Sequence, residues 1–125
     1  MKSKSVAEAG SEFKRAAVAK GDAREPLPAR ADHALHAQMA RAVWALDDLG
    51  APGAAALEAL ATDESPLVRS WAAAELLSRG DSRMRPILEE LALLPGMVGF
   101  DARIVLQQLA KGELKSPFGK REHLR

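Results

Sequence analysis

"SPLVRSWAAAELLSRGD", residues 65–81, has a clear start, a clear stop and a thin waist between them. Ser65 suits an N-cap, and Pro66 suits the first helical position, where a missing N–H costs no intrahelical bond. Gly80 supplies the residue that most easily ends a helix in left-handed backbone. Between them Ala72, Ala73 and Ala74 let neighbouring backbones come close, while Val68, Trp71, Leu76 and Leu77 fill the remaining volume at core density. Such a helix is expected to sit between neighbours on more than one side. Arg69 stands near its start, where a cation opposes the helix dipole, so an acidic or carbonyl partner is needed. Asp63 and Asp101 are the candidates.

Outward from this helix the pattern stays helical. Residues 5–20 place Val6, Ala9, Phe13 and Ala17 on one face and end at Gly21-Asp22. Pro26 and Pro28 push their preceding residues to extended geometry, so 24–30 reads as a linker. From Asp32, a suitable N-cap, to Leu49, apolar residues recur at three and four: Leu35, Met39, Ala42, Val43 and Leu46. A third helix is expected near 53–61, carrying Leu57 and Leu60. The fifth runs from Arg83 or Arg85 to Leu94, and the sixth from Phe100 to Gly112 after a break at "PGMVG". The tail, "ELKSPFGKREHLR", has no apolar periodicity and is expected to be loosely held.

Composition agrees. At 125 residues the chain is one domain able to bury roughly 65–70% of its unfolded surface. Alanine is abundant, aromatics are few and β-branched residues are scarce, which favours closely packed helices over a sheet. The expected fold class is all-α. With no cysteine there is no disulfide, thiolate metal site or cysteine nucleophile. No apolar run fits a signal-peptide core or a membrane span, so a cytoplasmic location is expected.

The chain also overlays itself at a shift of 34 residues: Pro52 meets Pro86, Leu57 meets Leu91, Leu60 meets Leu94 and Arg69 meets Arg103. Periods of this size mark stacked helical hairpins. Each unit is a short helix, a break and a second helix whose first turns carry the arginine. The stretch "DESPLVRSWAAAELL" resembles the second-helix pattern of HEAT repeats, with an acidic residue, Val-Arg, Ala-Ala and Leu in order. "VRSWAAAELLSRGD" followed by "ILEELALLPGMVGFDARIVLQQLAKGEL" is similar to a family of small bacterial HEAT-like domains without an assigned function. The resemblance covers residues 31–115 and implies a short right-handed α-α hairpin stack (an α-solenoid) of about five to six helices. The expected organisation is an N-terminal helix and Pro-containing linker over 1–30, the repeat domain over 31–112 and a basic tail over 113–125. Within it Arg69, Asp101 and Arg103 are expected to be structural.

Catalytic patterns are missing. His33 and His36 lie three apart on a helix, but a zinc site needs further ligands, and His123 stands far off in the tail. The carboxylate pairs Asp47-Asp48, Asp63-Glu64 and Glu89-Glu90 are helical or turn neighbours pointing to different faces, which suits solvated surface better than acid–base work. The glycines match neither a phosphate loop nor a dinucleotide fingerprint. No enzyme activity, cofactor or metal is expected.

Charge is uneven. Residues 31–110 hold six Lys/Arg against eleven Asp/Glu, a net −5, while residues 1–30 and 111–125 each carry +3. An acidic centre and a pI of about 8.1 disfavour nucleic acid, whose binders usually exceed a pI of about 9. A protein-binding module with a basic partner is expected instead, steered by charge complementarity. Its docking surface is expected around Asp47, Asp48, Glu58, Asp63, Glu64, Glu75, Glu89 and Glu90, with Trp44, set beside the apolar stripe of its helix, as the aromatic anchor. A bacterial immunity protein that plugs a cationic toxin is one concrete form. A HEAT-like nucleic-acid binder and a regulatory or scaffold subunit of a larger enzyme are the alternatives.

Overall fold

The computed structural model describes residues 4–21 and 27–119, and the described residues form six α-helices and one short 3-10 turn, with no strand. The helices are α1 (Val6–Gly21), α2 (Ala29–Asp48), α3 (Ala51–Leu60), α4 (Pro66–Ser78), α5 (Arg85–Leu91) and α6 (Gly96–Ala110). Residues 1–3, residues 22–26 with the first part of the expected linker, and residues 120–125 of the tail, His123 among them, lie outside the described residues.

Local chemistry sets most boundaries. Ser5 and Glu8 form a reciprocal capping box ahead of α1: the Ser5 N–H donates to Glu8 Oε1 at 3.2 Å, and the Glu8 N–H to Ser5 Oγ at 3.1 Å. Pro28, already extended at φ −55 and ψ 145, is the N-cap of α2. That helix therefore starts ahead of Asp32, the expected cap, which falls in its first turn. Pro66 opens α4 after an extended Ser65 whose hydroxyl makes no cap bond. The end of α4 is a Schellman turn: the Gly80 N–H donates to Leu77 O at 2.9 Å and the Asp81 N–H to Leu76 O at 3.1 Å. Gly112 and Glu113 close α6 the same way, onto Leu109 O and Gln108 O.

Two glycines allow tight corners. A Cβ on Gly53 would run into the Leu46 carbonyl, and one on Gly99 into the Leu94 carbonyl. The second corner explains a difference from expectation. "PGMVG" is not a break; α6 starts within it at Gly96, behind Pro95 as N-cap, while α5 stops at Leu91.

Helix α4 is the hub. It buries Val68, Ala72, Ala73, Ala74, Glu75, Leu76 and Leu77 and packs against α1, α3, α5 and α6. Helix α1 delivers Ala9, Phe13, Ala16 and Ala17 to the same core. Helix α2 lies along α1 and α3, and α5 pairs with α6. No described helix is long and apolar enough to cross a membrane.

Candidate functional site

After the Gly112 turn the chain runs back without regular structure to a cleft between α1, α2 and α4. Here the expectation of a loose tail fails. Ser116 Oγ donates to Glu75 Oε1 on α4, and the Phe118 N–H donates to Ser116 Oγ at 3.1 Å. The Pro117 carbonyl lies 2.7 Å from His36 Nε2 on α2. A carbonyl only accepts, so Nε2 is the nitrogen that carries the proton. Phe118 is only 5% exposed. Its ring stands edge-on to Phe13 of α1 at 5.9 Å between centroids, with His36 at 5.3 Å and Trp71 at 5.8 Å. These separations lie within the favourable range for aromatic pairs. Lys20 closes the rim, 5.6 Å above the Trp71 ring and 2.7 Å from Asp32 Oδ1.

Burial pushes the His36 pKa below its ordinary value, and the nearby Lys20 charge acts in the same direction. Asp32 is held low by its bond to Lys20. Glu75 is buried, with its two oxygens divided between Ser116 and Arg79, whose Nε donates at 2.6 Å. The two terminal nitrogens of Arg79 reach across to Asp47 at 2.9 and 3.0 Å, a bidentate fork that raises the arginine's pKa. One arginine thus ties α4 to the end of α2.

The acids expected to form a docking surface are largely turned to partners within the chain. Asp47 takes Arg79, Glu58 takes Arg83 at 2.7 Å, Asp63 takes Lys14 at 2.9 Å and Glu89 takes Arg85 at 3.5 Å. Lys14 and the Ser65 N–H hold the Asp63 carboxyl below its usual value. Glu75 is core rather than exterior, which corrects its placement on an outer face. Asp48, Glu64 and Glu90 are exposed, and Trp44 is half-buried against the core.

Arg69 finds carbonyls rather than a carboxylate. Its Nη1 donates to Asp63 O at 2.8 Å and Glu64 O at 3.0 Å, both in the turn ahead of its own helix. Of the two expected partners Asp63 is the one used, through its carbonyl, and Asp101 is not a partner of Arg69. Arg103 does a related thing one hairpin later, donating from Nη1 to Ala92 O at 2.8 Å. Both arginines cross-link the link that precedes their helix, which offsets an unfavourable position in the dipole. Asp101 is exposed on α6, and partial desolvation raises its carboxyl pKa.

At the far end of the molecule, Leu93 is 85% exposed, Met97 68% and Phe100 50%. Met97 and Phe100 stand three apart at the start of α6 and so share a face, and Leu93 lies in the link before it. Between α1 and α3 runs an open groove of about 680 Å³ that includes Val6, Lys14, Val18, Ala56 and Leu60. Among the described residues no group of three or more His, Asp or Glu could hold a metal ion.

Neither protein-family models, curated proteins nor solved structures give a match to this chain. Its function has to be argued from the cleft, the ion pairs and the exposed end. Sequence reasoning missed the tail's part in the cleft. The usable signal was chemical: Phe118 is one of three phenylalanines, placed in a polar tail between Pro117 and Gly119, where solubility gives no reason for it.

Proposed function

We propose that this chain is a non-enzymatic protein-binding module, built as a short HEAT-like stack of helical hairpins. In this reading α1 and α2 form the first layer, α3 and α4 the second, and α5 and α6 the last. The first hairpin runs in reverse, because α1 rather than α2 lies against α4. Hairpin stacks need a polar end cap or a covering partner, since each layer alone leaves one apolar side open.

The observation that carries the proposal is the exposure of Leu93, Met97 and Phe100 together at the last layer. Exposed apolar residues grouped at one place mark interaction surfaces, whereas scattered ones need no explanation. Glu90 and Asp101 are exposed on the same two helices. The fitting partner is therefore a protein with an apolar contact ringed by basic side chains. An immunity-type inhibitor seated on a basic toxin has that form, and so does a regulatory or scaffold subunit of a larger enzyme. The acids at 47, 58 and 63 are less suited to docking, because a partner would have to displace Arg79, Arg83 and Lys14 first.

The test is affinity capture from the native host with the parent chain and with a Leu93→Glu/Met97→Glu/Phe100→Glu variant. The variant, with unchanged helical circular dichroism, is expected to lose the main captured protein. An identical capture by both would remove this surface from the account.

A further inference from the structure

The cleft between α1, α2 and α4 is built like a receptor that already holds a ligand. Three different chemistries meet there. A buried carboxylate, Glu75, accepts a hydrogen bond from a hydroxyl; an imidazole N–H, on His36, donates to a prolyl carbonyl; and Phe13, His36 and Trp71 enclose one aromatic ring. All three are met by consecutive residues, Ser116, Pro117 and Phe118, on a segment that belongs to no helix. The link that carries them leaves α6 through the Gly112 cap and packs only Leu114 against the core. Lys111, Gly112, Glu113 and Lys115 are exposed, and Gly112 turns at a φ of 72° that favours glycine.

We propose that this cleft is a recognition site for a hydroxyl residue–Pro–aromatic segment of a partner protein, held shut in cis by Ser116-Pro117-Phe118. The proposal rests on the reading of the chain as a protein-binding module and adds a second surface to it. A tail on so short a link competes at an effective concentration in the millimolar range, so a weak segment in trans cannot enter. A second copy of the chain brings the same three residues that the cis tail already supplies. A different protein enters by adding contacts outside the cleft. Its entry displaces Ser116, Pro117 and Phe118.

The experiment uses the full chain carrying Phe118→Ala, titrated against a labelled peptide of residues 114–119. Anisotropy is expected to show saturable one-to-one binding, ~10-fold or more tighter than to the parent chain, whose own tail competes. The same peptide with alanine in place of its phenylalanine is expected not to bind. If the variant is unfolded, recovery of its helical circular dichroism on adding the peptide supports the site, and no recovery overturns it. A folded variant that ignores the peptide also overturns it. Sedimentation of the parent chain as a dimer that dissociates with Phe118→Ala would overturn the choice of a different protein, because a second copy would then be the occupant. None of these outcomes alters capture through Leu93, Met97 and Phe100, so the two surfaces fail separately.

Discussion

The two ends of this molecule treat their aromatic residues in opposite ways. At the α1–α2 end, Phe13 and Phe118 are buried against Trp71 and His36, and the rim carries the Lys20–Asp32 pair. At the α5–α6 end, Phe100 stands half in solvent beside Met97 and Leu93, and α6 buries only Gly99 and Ala102 fully. The difference teaches where the chain spends its few large side chains. A core rich in alanine gains little area per residue, so the three rings of Phe13, Trp71 and Phe118 matter disproportionately to closing the first end. The second end leaves Leu93, Met97 and Phe100 uncovered.

The sharpest way to break this contrast is to remove one phenylalanine from each end. Phe118→Ala deletes a buried ring and is expected to cost about 3–5 kcal/mol in urea unfolding. Phe100→Ala is expected to stay within about 0.5 kcal/mol of the parent, as exposed positions do. Equal losses would show that the ends are not different in kind.

The helices were legible in the sequence to within a few residues wherever a proline or glycine marks a boundary, as at Pro66, Gly80 and Gly112. The central place of α4 was legible too, from its run of alanines between larger apolar residues. What stayed hidden depends on contacts distant in sequence. Nothing local says that Arg79 reaches Asp47, or that Ser116 finds Glu75. Counting acids over residues 31–110 therefore suggested an open negative surface, whereas Lys14 and Lys20 of α1 fold back onto two of those acids. Glu75 alone carried a hint, being an acid inside an apolar run with Arg79 four residues on.

Smaller effects refine the comparison. Gly53→Ala and Gly99→Ala each drive a methyl into a carbonyl of the preceding corner. Each is expected to destabilise by about 1–3 kcal/mol, since backbone has to shift, and thermal melts would show whether the open end yields more easily. Glu75→Gln keeps the shape but weakens the anchor shared by Ser116 and Arg79, an expected loss of about 1–3 kcal/mol on removing a buried charge partner.

The pH response follows from His36. Its folded pKa lies below its ordinary value of 6.5, so as pH falls the unfolded chain takes up the proton first. Stability contributed by the neutral ring is full above the ordinary value and declines as pH drops below it. Amide exchange at 116–119, corrected for intrinsic rates, is expected to quicken between pH 7.5 and 5.5 relative to exchange in α6. His36→Gln, unable to titrate, is expected to remove that difference. Breaking the exposed Arg85–Glu89 pair at the other end is expected to change unfolding by less than about 0.5 kcal/mol, the smallest effect of the set.

The most direct measurement is the thermal midpoint of a chain ending at Gly112, compared with the full chain at pH 7.5. If the tail is part of the core, its removal strips the aromatic box and the Glu75 anchor together, and the midpoint falls by roughly 10–20 °C. A truncated chain that melts within about two degrees of the full one would mean that Ser116, Pro117 and Phe118 hold nothing together.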